Sequence, residues 1–182
     1  MQTTGKGQRG FTLVEMMVVV AIIGILVSVT LPMVGRMLEA ARRTTARTDL
    51  TSLVAAIRGY HSEYGRFPLA ATEWIDDNRE LLNVLRARHG DGNNNHAQNP
   101  RRMVFLNVSD GSLTRGSDKQ VEDNPNFIDP WGRTYRVMLD RDFTGAINVP
   151  GYGEVKDRPV VAWSLGRDGD PNNDVHWVVS WE

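Results

Sequence analysis

The chain has 182 residues, 21 Lys and Arg against 22 Asp and Glu, a formal net charge of −1 and no cysteine. This excludes a disulfide framework, and the thirteen basic and eighteen acidic side chains of residues 67–182 give no field suited to nucleic acid. Enzyme motifs are missing too: there is no G-x-S-x-G, no phosphate-cradling glycine loop, no H-E-x-x-H, and acids such as Asp76 and Asp77 would diverge by about 100° on a helix.

The first ten residues, MQTTGKGQRG, are hydrophilic, basic at Lys6 and Arg9, and end at Gly10. From Phe11 to Val34 follow twenty-four residues in which Glu15 is the only ionisable side chain. At 1.5 Å per residue the run covers roughly 36 Å, enough to cross a bilayer core of about 30 Å. It exceeds the apolar core of about 7–15 residues in a secretory signal, and no A-x-A pattern closes it. Glu15 reads in two ways. It is a first-turn acid facing the positive end of a helix, worth about 0.3–1 kcal/mol, or a functional acid in an apolar setting. Pro32 removes the helical bond to the Ser28 carbonyl, so a kink or local melt is expected there, with Gly24 as a second soft point.

Past the apolar run, Leu50, Leu53, Val54, Ile57, Tyr60 and Tyr64 recur at three- and four-residue steps and predict an amphipathic helix ended by Gly65 and Pro68. Residues 69–90 predict a second helix, with Thr72 as cap, Leu81, Leu82 and Leu85 as its apolar face, and Gly90 as its end. Residues 90–100 form a polar loop whose His96, with His89 nearby, lacks acids or cysteines at metal-ligand spacing. Strands are predicted at 103–108, at 134–139 with Tyr135, Val137 and Leu139 on one side, at 160–165, and at 175–181 with Val175, Trp177, Val179 and Trp181 facing one way. The tryptophans are expected in the core against the helix stripe. DRDFTG (140–145) starts like an EF-hand loop, but position twelve is Gly151 and not Glu, so it reads as a hairpin turn. Finally, LGRDGDPNND gathers Asp168, Asp170 and Asp174 within seven residues. With the Leu165 carbonyl these acids suit a calcium ion; without one they make a solvated acidic turn.

The leader together with FTLVE and the apolar run resembles the class III signal of type IV pilins and of the pseudopilins of type II secretion, over residues 5 to about 65. DPWGRTYRV (129–137) followed by WSLGRDGDPNND (163–174) is similar to the C-terminal half of the major pseudopilins, without that family's glycine-rich insertion in the second segment. The resemblance implies an α+β, pilin-like fold, a long N-terminal helix on a small antiparallel sheet. It divides the chain into a leader (1–10), a membrane and assembly segment (11–34), an amphipathic continuation (35–66) and a periplasmic head (67–182). A prepilin peptidase would cut after Gly10 and N-methylate Phe11, and Glu15 would neutralise the Phe11 ammonium of the next protomer. Implied partners are further copies in a filament, an inner-membrane assembly platform and minor pseudopilins; the implied cofactor is calcium, on Leu165, Asp168, Asp170 and Asp174. Lys6 and Arg9 before the run face Arg36, Arg42, Arg43 and Arg47 after it, so charge alone favours the opposite orientation. The leader resemblance instead implies a single pass of the inner membrane with the head in the periplasm. A type IV pilus subunit is the nearest alternative, and a membrane-anchored binding protein that never polymerises is a third reading.

Overall fold

The structure, a computed structural model, describes residues 11–69, 74–114 and 124–182. Helix α1 (Leu13–Tyr64) is 52 residues long and continuous through Gly24 and Pro32. Two compact units divide at Ala41 and Arg42, within α1 and earlier than the expected head boundary at 67. In the first unit, the apolar side chains of Phe11, Leu13, Val14, Met17, Ile22 and Ile25 are all exposed. The helix there is long and apolar enough to cross a membrane, and none of that stretch is buried by the protein itself. Burying a Val, Leu, Ile or Met side chain yields about 1.5–3 kcal/mol, so this surface is built for an apolar phase.

The second unit is layered. Strands β1 (Trp74–Ile75), β2 (Arg136–Leu139), β5 (Val160–Ser164) and β6 (Val178–Val179) form one antiparallel sheet in the order β1-β2-β5-β6. Strands β3 (Ala146–Val149) and β4 (Gly153–Lys156) form a separate hairpin, with Ile147 opposite Val155. Alternation along the strands sends side chains into two cores. Val137, Leu139, Val160 and Ala162 join Leu50, Leu53, Ile57 and Tyr60 of α1, while Val161, Trp163, Leu165 and Val179 join Ile147, Val149 and Val155 of the hairpin. All five residues of β5 are therefore buried, as in a strand covered on both faces.

This layering corrects the tryptophan expectation. Trp163, Trp177 and Trp181 pack in the hairpin core, with Trp163 stacked on Trp177 at 6.1 Å, and only Trp131 among these four packs against the helix core. The stripe itself is as expected: Leu50, Leu53, Val54, Ile57 and Tyr60 are buried, Tyr64 packs against them, and the Gly65 amide ends the helix by donating to the His61 carbonyl.

Three further elements differ from expectation. The second helix, α2 (Arg79–Leu85), has seven residues, because β1 takes Trp74 and Ile75 and Asn78 serves the sheet region. The Asn78 side chain donates to the carbonyls of Phe127 and Tyr135 and accepts from the Phe127 amide, pairing as an edge strand would. The predicted cap Thr72 lies outside the described residues. The helix ends before Gly90, at a Schellman pair in which the Arg88 amide meets the Asn83 carbonyl and the Ala87 amide meets that of Val84. Residues 103–108 form no strand; the Phe105 and Leu106 amides share the Leu85 carbonyl, while Leu106 and Val108 are buried. At 175–181 only Val178 and Val179 are strand; Asp174–His176 is a 3-10 turn that leaves Val175 exposed. Nor is 140–145 a hairpin turn. It links β2 to β3 across sheets, held by the Asp140 carboxylate accepting from the Thr144 and Gly145 amides.

A charged contact ties α1 to the residue just before β2: the Tyr135 hydroxyl donates to Asp49 at 2.8 Å. Burial pushes the Asp49 carboxyl above its ordinary value although the Tyr135 bond pulls the other way. The folded state thus holds this proton more tightly than the unfolded chain, so Asp49 contributes stability below the ordinary carboxylate range and loses it as pH rises through the raised value. Asp49→Asn keeps an acceptor for Tyr135 without the buried charge. Its unfolding midpoint at pH 7 should equal or exceed wild type by up to about 3 °C, measured by circular dichroism on the detergent-solubilised chain. A clear drop would show that the charge itself stabilises the contact.

Candidate functional site

The residues singled out in the sequence fall in two places. At the start of α1, Glu15 closes a capping box with Thr12. Its Oε2 accepts from the Thr12 amide and hydroxyl, both at 2.9 Å, and the Glu15 amide donates back to Thr12 Oγ1 at 3.2 Å. Within a single chain Glu15 therefore does what a first-turn acid does, and Oε2 carries both of its bonds to Thr12. Phe11 is 78 % exposed beside it; Gly10 lies outside the described residues. Sequence reasoning passed over Thr12, although T-x-x-E ahead of an apolar run is a readable signal.

The second place joins the two head motifs. The buried Asp129 carboxylate accepts from the Trp131 amide (2.9 Å), the Arg133 amide (2.8 Å) and the Ser164 hydroxyl (2.5 Å). Ser164 in turn accepts from the Gly166 amide at 2.9 Å. Ser164 is fully buried, so this Ser–Asp pair is a clasp and not an accessible nucleophile. Two glycines in left-handed backbone lie at close approaches. A Cβ at Gly166 (φ 67) would fall 1.9 Å from the His176 carbonyl oxygen, and one at Gly169 (φ 69) would fall 2.2 Å from Arg133 Nε. Asp-Pro-Trp-Gly and Ser-Leu-Gly thus read as one structural unit, the first fastening the start of β2 and the second the end of β5.

The acidic loop beyond it does not gather its carboxylates. Asp168 Oδ2 meets His176 Nε2 at 3.0 Å, Asp170 Oδ1 accepts from the Asn172 amide at 2.9 Å, and Asp174 is exposed. Among the described residues no three acid, histidine or cysteine side chains converge as a metal site would need. A calcium ion wants six to eight oxygens, so the donor set expected from the sequence does not fit. His89 and His96, with rings 6.4 Å apart, likewise hold no third ligand; the His89 ring accepts from the Asn95 amide.

Comparison with known proteins bears on both places. The family described as the prokaryotic N-terminal methylation motif matches residues 5–31, the stretch holding Gly10, Phe11 and Glu15. Type II secretion system core protein G of Klebsiella pneumoniae is 30 % identical over 176 residues, 94 % of this chain and 96 % of that protein. The chain belongs to the core protein G family. Core protein G of Pectobacterium carotovorum subsp. carotovorum is 42 % identical over 65 residues, and the type IV major pilin protein PilA of Myxococcus xanthus 40 % identical over 65. These two matches span only 42 % and 30 % of the relatives' own lengths. No solved structure gives a significant match. As a core protein G relative the chain has an N-terminal apolar helix and a methylation motif that fit membrane anchoring.

Proposed function

We propose that the chain is the structural subunit of a type II secretion pseudopilus, a non-catalytic protein that polymerises into a periplasmic fibre. A prepilin peptidase removes residues 1–10 after Gly10 and methylates Phe11. Residues 11–34 then hold the subunit in the inner membrane as a single pass, with the head in the periplasm. On assembly, Glu15 neutralises the Phe11 ammonium of the next protomer and sets the axial register, since an unpaired charge in an apolar setting is costly. Gly24 and Pro32 supply soft points for the passage from bilayer to fibre. Partners are further copies of the chain, the inner-membrane assembly platform and minor pseudopilins. The observation that carries this reading is similarity to a core protein G over nearly the whole chain, together with the methylation motif.

The alternative is a type IV pilus subunit, favoured by the match to PilA. Deletion of the gene separates the two. The pseudopilus reading expects exported proteins to be lost from the culture medium while surface pili persist. Loss of surface pili with an unchanged set of exported proteins would establish the alternative.

A further inference from the structure

We propose that the acidic loop between β5 and β6 is closed by the chain's own cations, Arg133 from inside and Arg43 through His176, in the place a calcium ion would take. The inference goes beyond the filament reading, because its readout is unfolding of the head and does not require assembly.

Oxygens decide the matter. A cation in this loop needs backbone carbonyls as well as carboxylates, since turn acids alone supply too few ligands. Arg133 already holds the two carbonyls that follow Leu165, donating from Nη1 to Gly166 at 2.8 Å and to Arg167 at 3.3 Å. Its guanidinium lies directly against Gly169, where even a methyl group would overlap it. A third carbonyl, that of Asp170, accepts from the Trp177 indole at 2.9 Å. The planar fork of Arg suits this arrangement, satisfying several oxygens from one fixed group. A divalent ion placed there would stand beside a permanent positive charge.

The carboxylate side is closed by a relay. Arg43 Nη2 lies 3.3 Å from His176 Nδ1, and His176 Nε2 lies 3.0 Å from Asp168 Oδ2. A guanidinium has no acceptor, so Nδ1 is the bare nitrogen and the imidazole proton sits on Nε2, donated to Asp168. Arg43 is on α1 and His176 just before β6, so the relay ties the loop to the helix. Asp168 and Arg43 face the ring with opposite charge, and they face opposite nitrogens. A cysteine-free head thereby gains a staple at an acidic loop.

The test is thermal unfolding of the full chain in detergent micelles, with calcium chloride in excess and with chelator. The expected midpoints agree within about 1 °C, whereas saturating a real site at a hundred times its dissociation constant would raise the midpoint by about 5 °C or more. Arg133→Gln should lower the midpoint by about 4 °C or more with or without calcium. Should that variant fail to fold, Arg133→Lys retains charge without the fork and is expected to fold with a smaller loss. Nitrogen chemical shifts of His176 should report a bare Nδ1, and the signal should change in Arg43→Gln. A calcium-dependent midpoint in the wild type, or Arg133→Gln and Arg133→Lys as stable as wild type, would overturn the proposal.

Discussion

Glu15→Ala is expected to enter the membrane at wild-type level yet to give less than a tenth of the wild-type filament yield. Insertion is untouched or improved, because an ionisable group leaves an apolar segment. Assembly suffers because each protomer's Phe11 ammonium would be left without a partner; breaking a buried pair on one side costs about 3–5 kcal/mol, and about 1.4 kcal/mol is already tenfold in an equilibrium constant. The capping box with Thr12 supplies a competing explanation, since Ala also deletes that contact. Glu15→Gln separates the two. Glutamine can fill the capping-box position as glutamate does, but it carries no charge. If Glu15 acts only at the helix start, Glu15→Gln assembles normally; if it neutralises a neighbour, Glu15→Gln fails nearly as badly as Ala. Filaments are counted by chemical cross-linking in intact cells and sedimentation of the extract, against monomer in the same membranes. Mass spectrometry of that monomer should give a chain beginning at Phe11 with one added methyl. An intact Met1 terminus in cells with active peptidase would remove the processing reading, and with it the ammonium that Glu15 is proposed to meet.

Asp129→Ala should lower the unfolding midpoint of the full chain by about 6–15 °C. Three donors converge on this buried carboxylate, from Trp131, Arg133 and Ser164. A buried donor left unsatisfied costs about 1–3 kcal/mol, so the total comes to several kcal/mol, at roughly 2–4 °C each for a chain of this size. Ser164→Ala removes one donor along with its bond and should cost much less, since the carboxylate keeps its two amides. The Gly166 amide, which donates to Ser164, loses its acceptor in that variant, so a loss of about 2–4 °C is expected. Differential scanning calorimetry in micelles ranks the two variants. A midpoint for Asp129→Ala within 2 °C of wild type would mean that the two motifs are not a clasp.

Much of this molecule was legible along the chain. The apolar run from Phe11 to Val34 and the stripe from Leu50 to Tyr64 depend on local spacing, and α1 carries both. Strands β2 and β5 were equally plain, because period-two alternation survives in Tyr135, Val137 and Leu139 and in Val161, Trp163 and Leu165. The acids at 168, 170 and 174 were legible as a cluster, but their partners were not.

Tertiary structure decided everything that needed a partner distant in sequence. Residues 103–108 have strand composition, yet without a neighbouring strand their amides turn to the Leu85 carbonyl. Trp163, Trp177 and Trp181 lie away from the helix because the β3–β4 hairpin makes a second core on the other face of β5. Asn78, Arg133 and His176 likewise take their partners from the fold. A side chain's hydrogen-bonding capacity is fixed by its type, but its use is fixed by what folding brings within 3 Å, here the Phe127 and Tyr135 carbonyls for Asn78, the Gly166 carbonyl for Arg133 and the Asp168 carboxylate for His176. Periodicity is a property of neighbours along the chain, and pairing is a property of neighbours in space; the sequence determined the first by itself, and only the fold determined the second.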